Sequence, residues 1–188
     1  YYGGIKKYQW VTIPLALHGV VVKKDGTTIQ ITLGEREDDP VFCVTDLLVH
    51  LSQDQLEKKA SKVIEGEKLD ILIGSIPLKK EDKESVKDGI LSLLKENYDI
   101  TEEDFHSAEL SLVPAGRARE LGFDRSLILG YGQGDRVCSY TALRSMLALE
   151  LPRRTACTLL VDKEEIGSVG ATGMKSHFFE NMVAEVLS

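Results

Sequence analysis

Apolar and polar positions divide the chain into a strand-rich first part and a second part in which short apolar runs alternate with helical patterns. Residues 11 to 22 alternate and then run apolar through Val20-Val21-Val22, and Lys23-Lys24-Asp25-Gly26 leads into Thr27 to Leu33. A period of two buries one face of a strand, and Asp-Gly suits a tight reversal, so a β-hairpin is expected. Pro14 lacks a backbone donor and belongs at a strand edge or bulge. Val41-Phe42-Cys43-Val44 predicts another extended piece before Asp46 to Leu51. Gln53 to Glu67, rich in Lys and Glu, reads as a helix or a charged connector, and Leu69 to Ile73 as a buried strand closed by Gly74-Ser75-Ile76-Pro77. After a polar stretch from Lys79 to Lys87, Val86, Ile90, Leu93 and Leu94 form a helical stripe in a segment ending near Asn97. Thr101-Glu102-Glu103-Asp104 is a helix-start or turn signal, and Ala108 to Val113 alternates as a strand. Pro114-Ala115-Gly116 ends that strand, and Arg117 to Phe123 crosses toward the second part.

There, Ser126 to Leu129 predicts a short buried strand, and Gly130-Tyr131-Gly132-Gln133-Gly134-Asp135-Arg136 precedes a helix from about Val137 to Leu149. Thr158 to Val161 predicts another buried strand, running into Asp162-Lys163-Glu164-Glu165-Ile166-Gly167-Ser168. Gly167, Gly170 and Gly173 follow at intervals of three, before a helix over Met174 to Leu187 with an apolar stripe at Phe178, Met182, Val183, Val186 and Leu187. This βαβα order predicts parallel strands covered by helices.

Chemistry is expected at the Glu164-Glu165 turn. The end of a strand is where an open α/β sheet exposes polar groups to a ligand, and two adjacent carboxylates on an irregular segment can divide labour between cation and proton. The same dipeptide is also ordinary for a solvated acidic turn. Gly130 to Gly134 matches neither the dinucleotide fingerprint nor the phosphate-binding P-loop, and no Lys-Ser/Thr follows.

Asp162-Lys163-Glu164-Glu165-Ile166-Gly167-Ser168, together with Gln133-Gly134-Asp135-Arg136-Val137-Cys138-Ser139-Tyr140, resembles the aspartyl aminopeptidase and aminopeptidase I family of two-zinc exopeptidases. The opening Tyr2-Gly3-Gly4-Ile5 and the stretch Leu110 to Ile128 are similar to the same family, so the resemblance covers most of the chain. It implies Glu164 as general base and Glu165 as a zinc ligand. A carboxylate beside a zinc-bound water suits such chemistry, since the metal lowers that water's pKa. Val44 to Leu51 is also similar to a family segment, whose histidine lies in an inserted dimerisation domain and reaches the neighbouring subunit's active site. The resemblance therefore implies that His50 binds substrate in trans, whereas the residues alone favour a histidine capping an apolar segment.

Two departures bear on the metal. Gly134 stands where the family has an aspartate bridging both zinc ions, with Asp135 retained beside it. The family's histidine before the Tyr-Gly-Gly segment, and its aspartate and histidine after the last helix, have no counterpart in this sequence. The expected chain is thus a central segment of such an enzyme, inactive and without zinc by itself; a non-catalytic oligomerisation module is the alternative.

Length and charge narrow the partners. At 188 residues the chain is long enough for one large or two small domains, and its net charge of -7 argues against nonspecific nucleic-acid binding. Cys43, Cys138 and Cys157 have no metal-binding spacing and read as reduced thiols of a cytoplasmic protein. No long apolar run indicates a membrane span. The expected architecture is α/β: residues 1-10 and 119-188 in a peptidase-type α/β layer, and residues 11-118 an inserted β-rich oligomerisation domain. The expected partners are a peptide substrate and further copies of the chain, with neither nucleic acid nor membrane.

Overall fold

The computed structural model describes residues 4–78 and 85–188, and within them the chain forms small sheets, short helices and two compact units. One unit is Lys6–Ile128; the other contains Leu129–Ser188 with Gly4 and Ile5.

The hairpin of the first unit forms as its alternation predicts. Strand β1 (Leu15–Val22) pairs antiparallel with β2 (Thr28–Leu33), from Leu17 opposite Leu33 to Val22 opposite Thr28. At the reversal the Asp25 carboxylate accepts the Thr27 N–H at 2.9 Å, and Gly26 takes a positive φ of 86°. Pro14 lies immediately before β1, where its carbonyl accepts the Ala115 N–H at 2.9 Å. On the other side of β1, β5 (Ala108–Pro114) pairs antiparallel, giving the order β2-β1-β5.

Two apolar clusters sit toward the two ends of β1. Leu15 joins Val11, Val44 and Ile64 at one end, backed by Trp10, Phe42 and Leu112. Val21 joins Ile31 and Ile100 at the other, backed by Leu94, Tyr98 and Leu110. Odd-numbered β1 residues share one face, so a single strand feeds both clusters. The second cluster needs helix α2 (Ser85–Tyr98) to stop sharply. It does so with Asp99 at φ 55° and the Ile100 N–H donating back to the Leu94 carbonyl at 3.3 Å, which turns Ile100 inward. Thr101 and Asp104 then make a reciprocal capping box at the start of the 3-10 turn Glu102–Ser107.

Elsewhere the sequence overstates regular structure. Of the extended piece expected over Val41 to Val44, only Cys43–Val44 is a strand; further on, Val49–Leu51 is a 3-10 turn, followed by a four-residue helix, α1 (Gln53–Leu56). Leu69 to Ile73 contributes only β4 (Ile71–Leu72), paired antiparallel with β3 (Cys43–Val44), and Leu72 and Ile73 are exposed. The polar stretch expected from Lys79 falls outside the described residues as far as position 84.

The larger corrections lie in the second half. Strand β7 (Leu127–Leu129) forms beside β6 (Arg119–Leu121), but all three of its residues are exposed rather than buried. Thr158 to Val161 is not a ladder strand, and Leu160 is 62% exposed. An apolar run becomes a buried strand only where neighbours satisfy its backbone groups and cover its faces. The expected parallel layer is not seen in the β2-β1-β5 and β3-β4 sheets, whose pairings are antiparallel, and the isolated parallel bridges are Val11 to Val44 and Asp162 to Gly173. Helix α3 (Gln133–Leu147) begins earlier than expected, after Gly132 in the left-handed conformation. Helix α4 (Phe178–Leu187) begins later than Met174, and its Phe178, Val186 and Leu187 are exposed.

Candidate active site

The segment Asp162 to Ser176 is closed by its own backbone. Asp162 donates its N–H to the Thr172 carbonyl at 3.2 Å and forms an isolated parallel bridge with Gly173. Its side chain turns back into the loop: Oδ1 accepts the Lys163 N–H at 2.8 Å, and Oδ2 accepts the Thr172 hydroxyl at 3.2 Å. The Lys163 ammonium lies 3.1 Å from the same Oδ2. These bonds hold Lys163 at φ 65°, ψ 22°, a left-handed conformation that costs a residue with a Cβ about 1–2 kcal/mol.

That reversal starts the 3-10 turn Glu164–Ile166, so both carboxylates leave the chain just past a fixed corner. The turn ends at Gly167, φ 87°, whose N–H donates to the Glu164 carbonyl at 2.9 Å; glycine adopts this conformation without steric cost. Ser168, also at positive φ, donates its N–H to the Lys163 carbonyl at 2.7 Å. Its own carbonyl accepts the Lys175 N–H at 3.1 Å. Gly173 packs against this corner so closely that a Cβ there would stand 2.3 Å from the Ser168 carbonyl oxygen. It is the one buried residue between positions 129 and 188.

Partial burial pushes the Asp162 carboxyl upward, but hydrogen bonds from Lys163 and Thr172 and the Lys163 charge outweigh it, leaving the group below the usual aspartate range. Asp162 is therefore a fixed anion near neutral pH. Glu164 and Glu165 are exposed, open to a ligand or to water.

The other sequence-derived positions lie apart in the chain. His50 is exposed in the 3-10 turn Val49–Leu51, whose closing bonds to the Val49 carbonyl come from the Ser52 N–H and hydroxyl, not from the histidine. Gly134 is in the first turn of α3, where an added Cβ would meet nothing within 4 Å. The neighbouring Asp135 is exposed. No group of three His, Cys, Asp or Glu side chains among the described residues is placed to hold a metal ion. A catalytic zinc takes three protein ligands, so Glu164 and Glu165 do not complete a zinc site by themselves.

The sequence motif includes Asp162 and Lys163 but assigns neither of them a role, and it does not reach Thr172. The available signals were the acidic residue before the Glu pair and the glycines at 167, 170 and 173, which mark a loop folded tightly on itself.

Comparison with known proteins gives this loop a context. The family model "Aminopeptidase I zinc metalloprotease (M18)" matches residues 1–188. A probable M18 family aminopeptidase 1 of Clostridium acetobutylicum is 65% identical over 189 residues, covering 100% of this chain and 41% of the relative. The crystal structure of an M18-family aminopeptidase from Thermotoga maritima superposes with a TM-score of 0.88 at 50% identity, again over 100% of this chain and 41% of that one. The crystal structure of aminopeptidase I from Clostridium acetobutylicum gives 0.85 at 64% identity with the same coverage. The chain thus spans about two fifths of the length of these relatives, and it matches the family model from end to end. It belongs to the M18 peptidase family, the aminopeptidase I zinc metalloproteases.

Proposed function

We propose that the chain is the central segment of a zinc aminopeptidase, which removes amino-terminal residues from peptides, and that this segment alone is inactive. The observation that carries the reading is the closed Asp162 to Ser176 loop presenting Glu164 and Glu165 side by side in a chain that matches the M18 model throughout. In this reading Glu164 takes the proton of the attacking water and returns it to the leaving amine. Glu165 is one of the groups that would hold zinc, which supplies Lewis-acid polarisation in such enzymes. The reading needs ligands beyond Glu165, and Gly134 offers no side chain where the family pattern has the bridging aspartate.

The same reading takes residues 11-118 as the inserted oligomerisation domain, working in a cytoplasmic homo-oligomer with His50 reaching a partner subunit's site. Its support is the exposed apolar side of that unit, which includes Leu48, Val49, Leu51 and Leu56. A peptide is the proposed substrate. The acidic charge gives no basis for a nucleic-acid partner, and no helix among the described residues is long and apolar enough to cross a membrane. A second reading, a non-catalytic assembly module derived from such a peptidase, is favoured specifically by Gly134 and by the lack of a three-donor cluster among the described residues.

A graft separates the two. The 188 residues replace the matching stretch of the Clostridium acetobutylicum relative, once unchanged and once with Gly134→Asp, and metal content and release of amino-terminal residues are measured. The peptidase reading expects the isolated chain to hold no stoichiometric zinc and the Gly134→Asp graft to regain both zinc and hydrolysis. A folded Gly134→Asp graft with neither supports the assembly module. Stoichiometric zinc with turnover in the isolated 188-residue chain refutes the ligand count.

A further inference from the structure

We propose that Asp162 is a positioning residue for the Glu164-Glu165 pair, acting through Lys163 and Thr172, an inference that rests on the aminopeptidase reading of those two glutamates. The geometry is unusually economical. One carboxylate receives the Lys163 N–H at 2.8 Å, the Thr172 hydroxyl at 3.2 Å and the Lys163 ammonium at 3.1 Å, while its own N–H reaches the Thr172 carbonyl at 3.2 Å. The first bond sets the peptide that enters Lys163, and the Thr172 bonds anchor the far side of the loop. Between these anchors the chain must turn through the left-handed Lys163 before Glu164 can begin the 3-10 turn.

A lysine with a free choice of conformation would leave this region, because the right-handed or extended alternative is lower in energy by about 1–2 kcal/mol. Each alternative swings the following peptide, and with it the origin of both glutamate side chains. Lys163 is held from three sides: its N–H and ammonium by Asp162, and its carbonyl by the N–H groups of Ser168 at 2.7 Å and Ile166 at 3.4 Å. Its side chain is largely covered, and a Cβ on Gly170 would lie 3.9 Å from Lys163 Cγ, so the stem packs along the returning strand of the loop. Glu164 and Glu165 are both exposed and lie within this clasp, so the corner residue decides their direction. Asp162 itself need not touch the substrate.

Positioning has a kinetic signature distinct from binding. Displacing a reacting group by about 1 Å can lower turnover on the order of a hundredfold, whereas a change in substrate affinity appears in KM. Asparagine provides a conservative comparison: its Oδ1 keeps the bond from the Lys163 N–H, and its amide can still pair with the Thr172 hydroxyl, with the lysine ion pair lost. Alanine loses all the side-chain bonds, and Thr172→Val removes one anchor while leaving Asp162 in place.

The experiment uses the Clostridium acetobutylicum graft carrying Gly134→Asp as parent, with Asp162→Ala, Asp162→Asn and Thr172→Val introduced singly. Steady-state hydrolysis of an aminoacyl peptide and amide hydrogen exchange over residues 164 to 168 are measured in each. The expected result is a kcat lowered at least about tenfold by Asp162→Ala with KM within about twofold, and rescue by Asp162→Asn to within about threefold of the parent. Thr172→Val should fall between them. The Ile166, Gly167 and Ser168 amides should exchange at least about tenfold faster in Asp162→Ala. The proposal is overturned if Asp162→Ala keeps kcat within about twofold, if it changes KM alone, or if Asp162→Asn is as impaired as Asp162→Ala. A parent graft without hydrolysis would count against the aminopeptidase reading instead, and unchanged exchange in Asp162→Ala would still overturn the clasp.

Discussion

Lys23, at the tip of the β1–β2 hairpin, is bonded to Asp99, at the end of α2, across 76 residues of chain. Lys95 grips the same carboxylate from within the helix. These bonds, Lys23 foremost, depress the Asp99 pKa from its ordinary 3.8 to about 2. A depressed carboxylate pKa contributes stability that is present above the unfolded value and lost as pH falls through the folded one. The acid-sensitive window for this contact therefore runs from about pH 4 down to about pH 2. Asp99→Asn should narrow its stability deficit relative to the original protein across that window. Urea midpoints of the two proteins at pH 5, 3 and 2 check the convergence; a constant gap would exclude the contact.

Leu15 and Leu160 are the same residue type in opposite surroundings, 1% and 62% exposed. Leu15→Ala should destabilise the chain by about 2–5 kcal/mol, the range for a buried leucine that leaves a cavity. Leu160→Ala should stay within about 0.5 kcal/mol in the isolated chain. Paired denaturant titrations give both values, and comparable losses would show that Leu160 is covered in solution.

Gly134→Asp should raise, not lower, the stability of α3. Open space surrounds the position, glycine in a helix costs about 0.5–1 kcal/mol relative to alanine, and a carboxylate in the first turn complements the helix dipole. The expected gain is on the order of 0.5–1 kcal/mol, read from local hydrogen exchange across Asp135 to Cys138. A loss would place unseen structure against this face.

Gly173→Ala should open the Glu164-Glu165 loop. The added methyl would stand 2.3 Å from the Ser168 carbonyl oxygen, and backbone cannot yield as a flexible side chain does. A destabilisation of roughly 1–3 kcal/mol, the usual scale for overpacking, is expected locally. Faster exchange of the Ser168 and Lys175 amides would reveal it; unchanged exchange would mean that the loop relaxes freely.

The apolar surface around the Val49–Leu51 turn should drive self-association. Leu48, Val49, Leu51 and Leu56 are all more than half exposed, and two-fold contacts between identical chains commonly cover such patches. Sedimentation velocity at tens of micromolar, a range chosen to detect roughly micromolar association, should show a dimer or larger species, and Leu51→Asp should shift it toward monomer. A clean monomer before substitution would contradict the oligomerisation-domain reading of residues 11-118.

Sequence reading succeeded where information is local. Asp25-Gly26 specifies the hairpin reversal, the spacing of Val86, Ile90, Leu93 and Leu94 specifies α2, and the Thr101 to Asp104 signal becomes a capping box. The alternation of Ala108 to Val113 likewise becomes β5. It failed where pairing decides. Thr158 to Val161 has the composition of a buried strand, yet no ladder forms there, and composition does not encode which neighbour supplies the missing hydrogen bonds. The Glu164-Glu165 turn was visible as chemistry-bearing residues after an apolar run. Its supports were not, because the Asp162 bond to Thr172 spans ten residues and depends on four positive-φ positions in between, Lys163, Gly167, Ser168 and Gly170.

The hydrogen bonds between Asp162 and Thr172, backbone and side chain, close the Glu-Glu loop over ten residues. Closing so short a segment sacrifices little chain entropy, so local bonds account for the corner that aims the two carboxylates. Such a self-contained module could be transplanted as a continuous stretch of about fifteen residues, carrying the direction of its two carboxylates into another strand-to-helix junction.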